Sequence, residues 1–158
     1  MHSKARFVFL LLSFALISSV SLKASALSQK EIVDLVNQDR ERLGLASLSV
    51  DPALNLAALA KAQDMIAKNY FAHTSPAGTT PWQWVRSVGY NYSYAGENLA
   101  EGYTSAQELE KSWMASASHR ANILSPHYSD LGLAVISYNN TNVVVQLFGS
   151  KEKLTFVK

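Results

Sequence analysis

The sequence predicts an α+β domain, and three observations carry that reading. Capped, amphipathic helical stretches fill the middle of the chain, two β-rich stretches joined by an asparagine turn close it, and the regular β-α alternation of a doubly wound parallel sheet is missing. The chain has 158 residues and no cysteine. No disulfide can therefore contribute, and one hydrophobic core must hold the domain.

The first 26 residues read as a secretory leader and are set apart from the fold. A basic start (His2, Lys4, Arg6) precedes an apolar run from Phe7 to Leu22, and Ala24-Ser25-Ala26 supplies a small-residue cleavage site. The apolar run falls short of the ~20 residues that a spanning helix needs. Cleavage is expected, leaving a secreted chain with no stable membrane insertion. Residues 27–158 are then one domain, long enough for a single core and too short for two, and a monomer is expected. Without Lys4, Arg6 and Lys23 the 14 Lys+Arg fall to 11, against 12 Asp+Glu. No basic patch remains, which argues against nucleic acid as a partner.

Ser28-Gln29-Lys30-Glu31 is a capping box opening the first helix. Ile32, Leu35, Val36 and Leu43 form its apolar stripe, Asn37 and Arg40 are expected as a solvated pair at its edge, and Gly44 suits the left-handed stop. Asp51-Pro52 caps a second helix reaching about Asn69, with Leu54, Ala57, Ala58, Ala62, Met65 and Ile66 at helical spacing and many alanines for close packing. Phe71 to Thr80 reads as loop and contains His73. Thr80-Pro81 starts a short helix ended by Gly89; Trp82 and Trp84, two apart, cannot share one of its faces. Tyr90, Tyr92 and Tyr94 alternate with polar residues, as in a short strand or extended loop, and Gly96 is expected to free the backbone before Glu97. Thr104 to Gln107 opens a helix with Leu109 and Trp113 inward and Glu108, Glu110 and Lys111 toward solvent. Leu131 to Tyr138 and Val143 to Phe148 form an antiparallel hairpin about Asn139 to Asn142.

The densest chemistry lies in Ser112 to Leu124, SWMASASHRANIL, where Trp113, Ile123 and Leu124 are bulky pegs and the small residues between them permit a tight turn before His119 and Arg120. His73 in FAHTSP and Glu97 in YAGENLA are the other polar signals set among apolar and glycine positions. All three are expected to converge on one cleft.

These motifs, in this order (VNQDR, HTSP, GENLA, SWMASASHRANIL, LGLAV and QLFG), resemble the CAP superfamily of cysteine-rich secretory, antigen 5 and pathogenesis-related 1 proteins, and most closely its cysteine-free bacterial branch. The resemblance covers nearly all of residues 27–158. It implies a three-layer α-β-α sandwich with a central antiparallel sheet and a large cleft. It also implies a divalent-metal site, with His73, Glu97 and His119 on the positions of two histidines and one glutamate. The second glutamate of that set has no counterpart, since Ser116 stands where it would fall.

Two imidazoles and one carboxylate suit zinc with an open position for water, and a site one ligand short predicts weak, pH-dependent binding. Without metal, Glu97 could serve as base and His119 as acid if the domain is an enzyme. Ser116 and Arg120 are expected to line the cleft, with Arg120 pairing a carboxylate or meeting an anionic ligand. Two functions follow: a binding module for an extracellular lipid, peptide or cell-wall fragment, or a metal-assisted hydrolase of peptides or wall polymers. Neither a G-x-S-x-G elbow nor a cysteine supports nucleophilic catalysis.

Overall fold

A computed structural model describes residues 27–152; the leader predicted for residues 1–26 lies outside the described residues. The elements run α1 (Gln29–Arg42), β1 (Ser49–Val50), α2 (Pro52–Ala67), α3 (Pro81–Ser87), β2 (Tyr92–Glu101), α4 (Ala106–Ala115), α5 (Ala117–Ile123), β3 (Asp130–Tyr138) and β4 (Thr141–Lys151). The helix starts follow the cap residues. Ser28 accepts from the Glu31 amide, Asp51 from Ala53 and Leu54, and Ser105 from Glu108, each satisfying donors that the first helical turn leaves free.

The α+β reading holds, with one correction to the sheet. Its order is β1-β3-β4-β2; β2 and β3 flank β4 antiparallel, whereas the two-residue β1 pairs with β3 in parallel, so the sheet is mixed. β1 enters from the α1 side and leaves directly into α2, and a strand of this length needs only its flanking backbone bonds. Strand alternation divides the core into two. Leu131, Leu133, Val144 and Phe148 pack with α1, α4 and α5; Ala134, Val143, Val145 and Leu147 pack with α2 and α3. The sheet is thus covered on both faces. At Gly132 the layers approach so closely that a β-carbon would lie 2.3 Å from the Leu54 backbone, and Asn55 of α2 accepts from the Leu133 amide at 2.8 Å.

Two expectations about α1 are corrected. Arg40 is only 1% exposed, because it falls on the Ile32–Val36 stripe, and it stays charged there by donating to the carbonyls of Ala46, Ile123, Ser125 and Tyr128. Asn37 bridges both backbone groups of Leu48. Leu43, by contrast, is exposed: it is the C-cap, where the chain leaves helical twist and the stripe ends.

Glu110 is also corrected, from solvent-facing to 4% exposed. It shares a helix face with Ala106, Leu109 and Trp113. Its two carboxyl oxygens meet no donor among the described residues, and burial together with the facing Asp39 of α1 pushes its pKa up to about 8. A proton on Glu110 supplies the donor this carboxyl pair lacks. The folded state therefore holds that proton more tightly than the unfolded chain, whose value is near 4.5. Stability from this source is complete below about pH 4.5 and is lost as the pH climbs to about 8. Glu110→Gln, which carries its own donor, should flatten this decline and gain on the order of 2–3 kcal/mol at pH 9. Urea melts at pH 6 and 9 check this, and equal pH slopes for both proteins would refute it.

Candidate functional site

The site forms at the free edge of β2, where strand parity splits the chemistry between two faces. Glu97 turns toward the α2–α3 layer, and Asn98, one residue on, toward α5. The whole YAGENLA stretch is strand, so Glu97 sits on a rigid element and not on the loop its glycine suggested. Gly96 is there for space, not for backbone freedom: a β-carbon would come within 2.5 Å of the Tyr128 hydroxyl and 3.0 Å of Asn122 Oδ1.

On the first face, His73 Nδ1 and Glu97 Oε1 lie 2.6 Å apart, with the imidazole largely open and the carboxylate side chain 2% exposed. Glu97 Oε2 is buried without a partner among the described residues. Burial raises the Glu97 pKa, while the His73 bond and the positive charge of Lys61 pull against it. The carboxyl thus belongs to the cleft wall beside the His73 imidazole. The cleft has a volume of about 410 Å³, and its lining includes His73, Thr74, Thr80, Trp82, Glu97 and Asn122. Trp82 and Trp84 do divide their roles: the partly exposed Trp82 lines the cleft, and Trp84 packs against the core.

His73 is positioned by a residue that the sequence reading did not single out. Lys61 of α2 is fully buried and spends its ammonium on Tyr70 Oη at 3.2 Å, the Ala72 carbonyl at 2.8 Å and the His73 carbonyl at 2.9 Å. A signal existed, since Lys61 falls on the Leu54–Ala57–Ala58 stripe. Three donors on one tether fix the loop that presents the imidazole.

On the second face, an amide network ties α5 to the sheet. Asn98 Nδ2 donates to Gln146 Oε1 and the His119 carbonyl; Asn122 Nδ2 donates to Asn98 Oδ1 and the Glu97 carbonyl. Asn98 and Asn122 stand inside the motifs that carry Glu97 and His119, as polar amides among apolar neighbours. His119 itself lies half-buried on α5, 6.4 Å centroid to centroid from Trp113, and burial, aided by the His73 charge, lowers its pKa, keeping it neutral near pH 7. Ser116 is the junction of α4 and α5, and Arg120 donates to the Met114 carbonyl at 2.6 Å instead of pairing a carboxylate. His73 and Glu97 are brought together; Ser116, His119 and Arg120 are not in the lining of their cleft. Among the described residues no three His, Asp or Glu gather to hold a metal, so the third protein ligand of a zinc centre is not supplied. This arrangement does not fit a resident zinc ion.

Comparison with known proteins agrees with the fold. The model of the cysteine-rich secretory protein family, CAP, matches residues 33–148. The chain is 42% identical over 108 residues to the uncharacterized protein YkwD of Bacillus subtilis, an alignment covering 68% of this chain and 42% of that protein; the chain thus spans less than half the length of this curated relative. Among solved structures it is similar to an outer surface protein of Borrelia burgdorferi, with a TM-score of 0.73 and 24% identity over 78% of this chain and 92% of that one. It is also similar to an extracellular SCP-domain protein of Bacillus anthracis, with a TM-score of 0.70 and 30% identity over 77% of this chain and 40% of that one. A more distant fold neighbour, NaASP2, was crystallised with Zn2+; its TM-score is 0.57 at 13% identity, covering 79% and 82% of the two chains. No helix among the described residues is long and apolar enough to cross a membrane.

Proposed function

We propose, starting from the fact that the chain belongs to the cysteine-rich secretory protein (CAP) family, that the cleft of His73, Glu97 and Trp82 is the ligand site of an extracellular binding module, and that its ligand is a sugar-bearing cell-wall fragment. The observation that carries this is the His73–Glu97 pair, a buried carboxyl with one oxygen unpartnered among the described residues, in the same cleft lining as the Trp82 indole. A sugar ring offers an apolar face for the indole and hydroxyls for the carboxyl, the imidazole and the Thr74, Thr80 and Asn122 side chains. A lipid tail would leave those polar groups without partners, which is costly. The extracellular setting is supported by the leader-like first 26 residues and by the B. anthracis relative, itself an extracellular protein. Metal-assisted hydrolysis finds no three-ligand centre among the described residues, so binding is preferred.

Soluble N-acetylglucosamine oligomers titrated calorimetrically into the purified protein test this. Trp82→Ala and Glu97→Gln should each weaken binding roughly tenfold or more, equivalent to about 1.4 kcal/mol, with no shortened oligomers in the mixture. Affinity unchanged in both variants would sink the site assignment.

A further inference from the structure

Away from that cleft, a second cavity of about 300 Å³ opens between the end of α2 and the β3–β4 hairpin. Its chemistry is of one sign. The lining includes the rings of Tyr70, Phe71 and Tyr138, the carboxylate of Glu101 and the amides of Asn69 and Asn139, and it contains no lysine or arginine. Phe71 is 41% exposed and Tyr138 48% exposed, large open rings in the same lining. Glu101 takes part in none of the ion pairs formed among the described residues. Tyr70 is held in place from behind, its hydroxyl bonded to Asp64 at 2.6 Å and the Lys61 ammonium 4.8 Å from its ring centroid. The two asparagines hold left-handed backbone, φ 53° and 47°, so tight turns form both rims.

We propose that this cavity is a binding site for an organic ammonium group, quaternary or methylated, whose charge faces Glu101 and whose alkyl groups lie on the Phe71 and Tyr138 rings. Aromatic faces attract cations electrostatically, and a methylated ammonium has apolar surface for the rings while shedding less tightly bound water than a bare metal ion. A purely apolar ligand would strip water from the Glu101 carboxylate without replacing its partners. The volume lies at the lower end for small-molecule sites, about 300–1,000 Å³, which suits a compact head group and not an acyl chain. The inference stands apart from the sugar reading, sharing with it only the 70–73 segment whose other side presents His73.

The test is choline chloride titrated into the isotope-labelled protein, followed by amide NMR, beside 3,3-dimethylbutan-1-ol as the uncharged isostere. Choline should shift the amides of Phe71, Glu101 and Tyr138 and saturate near 1 mM, on the order of −4 kcal/mol, while the alcohol should bind at least about fivefold more weakly. Glu101→Gln and Tyr138→Ala should each weaken choline by about fivefold or more without moving the melting temperature, since both side chains face solvent. Co-sedimentation with phosphatidylcholine vesicles separates the sources: capture points to a lipid head group, and choline binding without capture points to a free cation. Equal affinity for the alcohol, parent-like affinity in Glu101→Gln, or no saturation by about 50 mM choline would each overturn the proposal.

Discussion

Arg40→Met should cost on the order of 3–5 kcal/mol, one of the largest losses available to a single side chain in this domain. The guanidinium is the common partner of four carbonyls outside the strand and helix ladders: Ala46 after α1, Ile123 at the last residue of α5, and Ser125 and Tyr128 beyond it. Methionine fills most of the volume, so the loss comes from orphaned carbonyls and not from a cavity. Hydrogen bonds to a charged group contribute about 1.5–3 kcal/mol each, but one of these four is long, at 3.4 Å, and water will reach the half-buried ones. Those considerations put the total well below the plain sum. Arg40→Lys should recover only part of the loss, because one ammonium cannot reach carbonyls on two separate loops. Urea denaturation decides between the readings. A midpoint change worth less than about 1 kcal/mol would mean that the loops satisfy themselves without Arg40.

The same residue shows how far the sequence could be read. The positions of Arg40, Lys61 and Glu110 on their helices were legible, since each falls on the apolar stripe of its helix beside Val36, Ala57 and Leu109. Periodicity alone therefore marks them as buried, and an expectation built on charge alone sent Arg40 and Glu110 to solvent. What periodicity could not supply is why burial is tolerable. The Arg40 partner carbonyl of Ile123 lies 83 residues away in the chain, and such a pairing exists only once the layers have closed. Caps, helix starts and the hairpin depend on neighbours in sequence, and these were readable.

The site divides along the same line. His73 and Glu97 stood out as polar residues in unusual settings, and the fold brings them to 2.6 Å. Their expected companion His119 is not in the lining of their cleft; its carbonyl is held by Asn98, which differs from Glu97 by one residue, and a strand sends successive side chains to opposite sides. A motif can name two residues as neighbours in the chain, but the parity of the strand that carries them decides which layer each one meets. Asn98 and Asn122, which stand inside the GENLA and SWMASASHRANIL motifs, are what fastens α5 to β2.

Trp113→Ala tests whether that fastening depends on the core beneath it, and it should cost roughly 3–5 kcal/mol. The indole is 1% exposed, the largest fully buried side chain of the domain's described residues. It sits in the last helical turn before α4 breaks at Ser116 into α5. Removing it leaves a void bounded by Leu109, Ile123 and the sheet and releases the Leu99 carbonyl from its 3.4 Å bond to Nε1. It also takes away the ring against which the His119 imidazole rests. A helix of seven residues such as α5 cannot keep its place by intrinsic propensity, since isolated helices below about 12 residues are marginal. Loss of its packing partner should therefore loosen it locally as well as lower global stability. Hydrogen exchange at 20 °C reads both effects: amides of Arg120 to Leu124 should lose more protection than those of β4. A Trp113→Phe variant keeps the core filled but drops the Nε1 donor, and should retain most of the stability. If Trp113→Ala loses less than about 1 kcal/mol, or if α5 and β4 lose protection equally, the indole is filler and not the peg that seats α5 against the sheet.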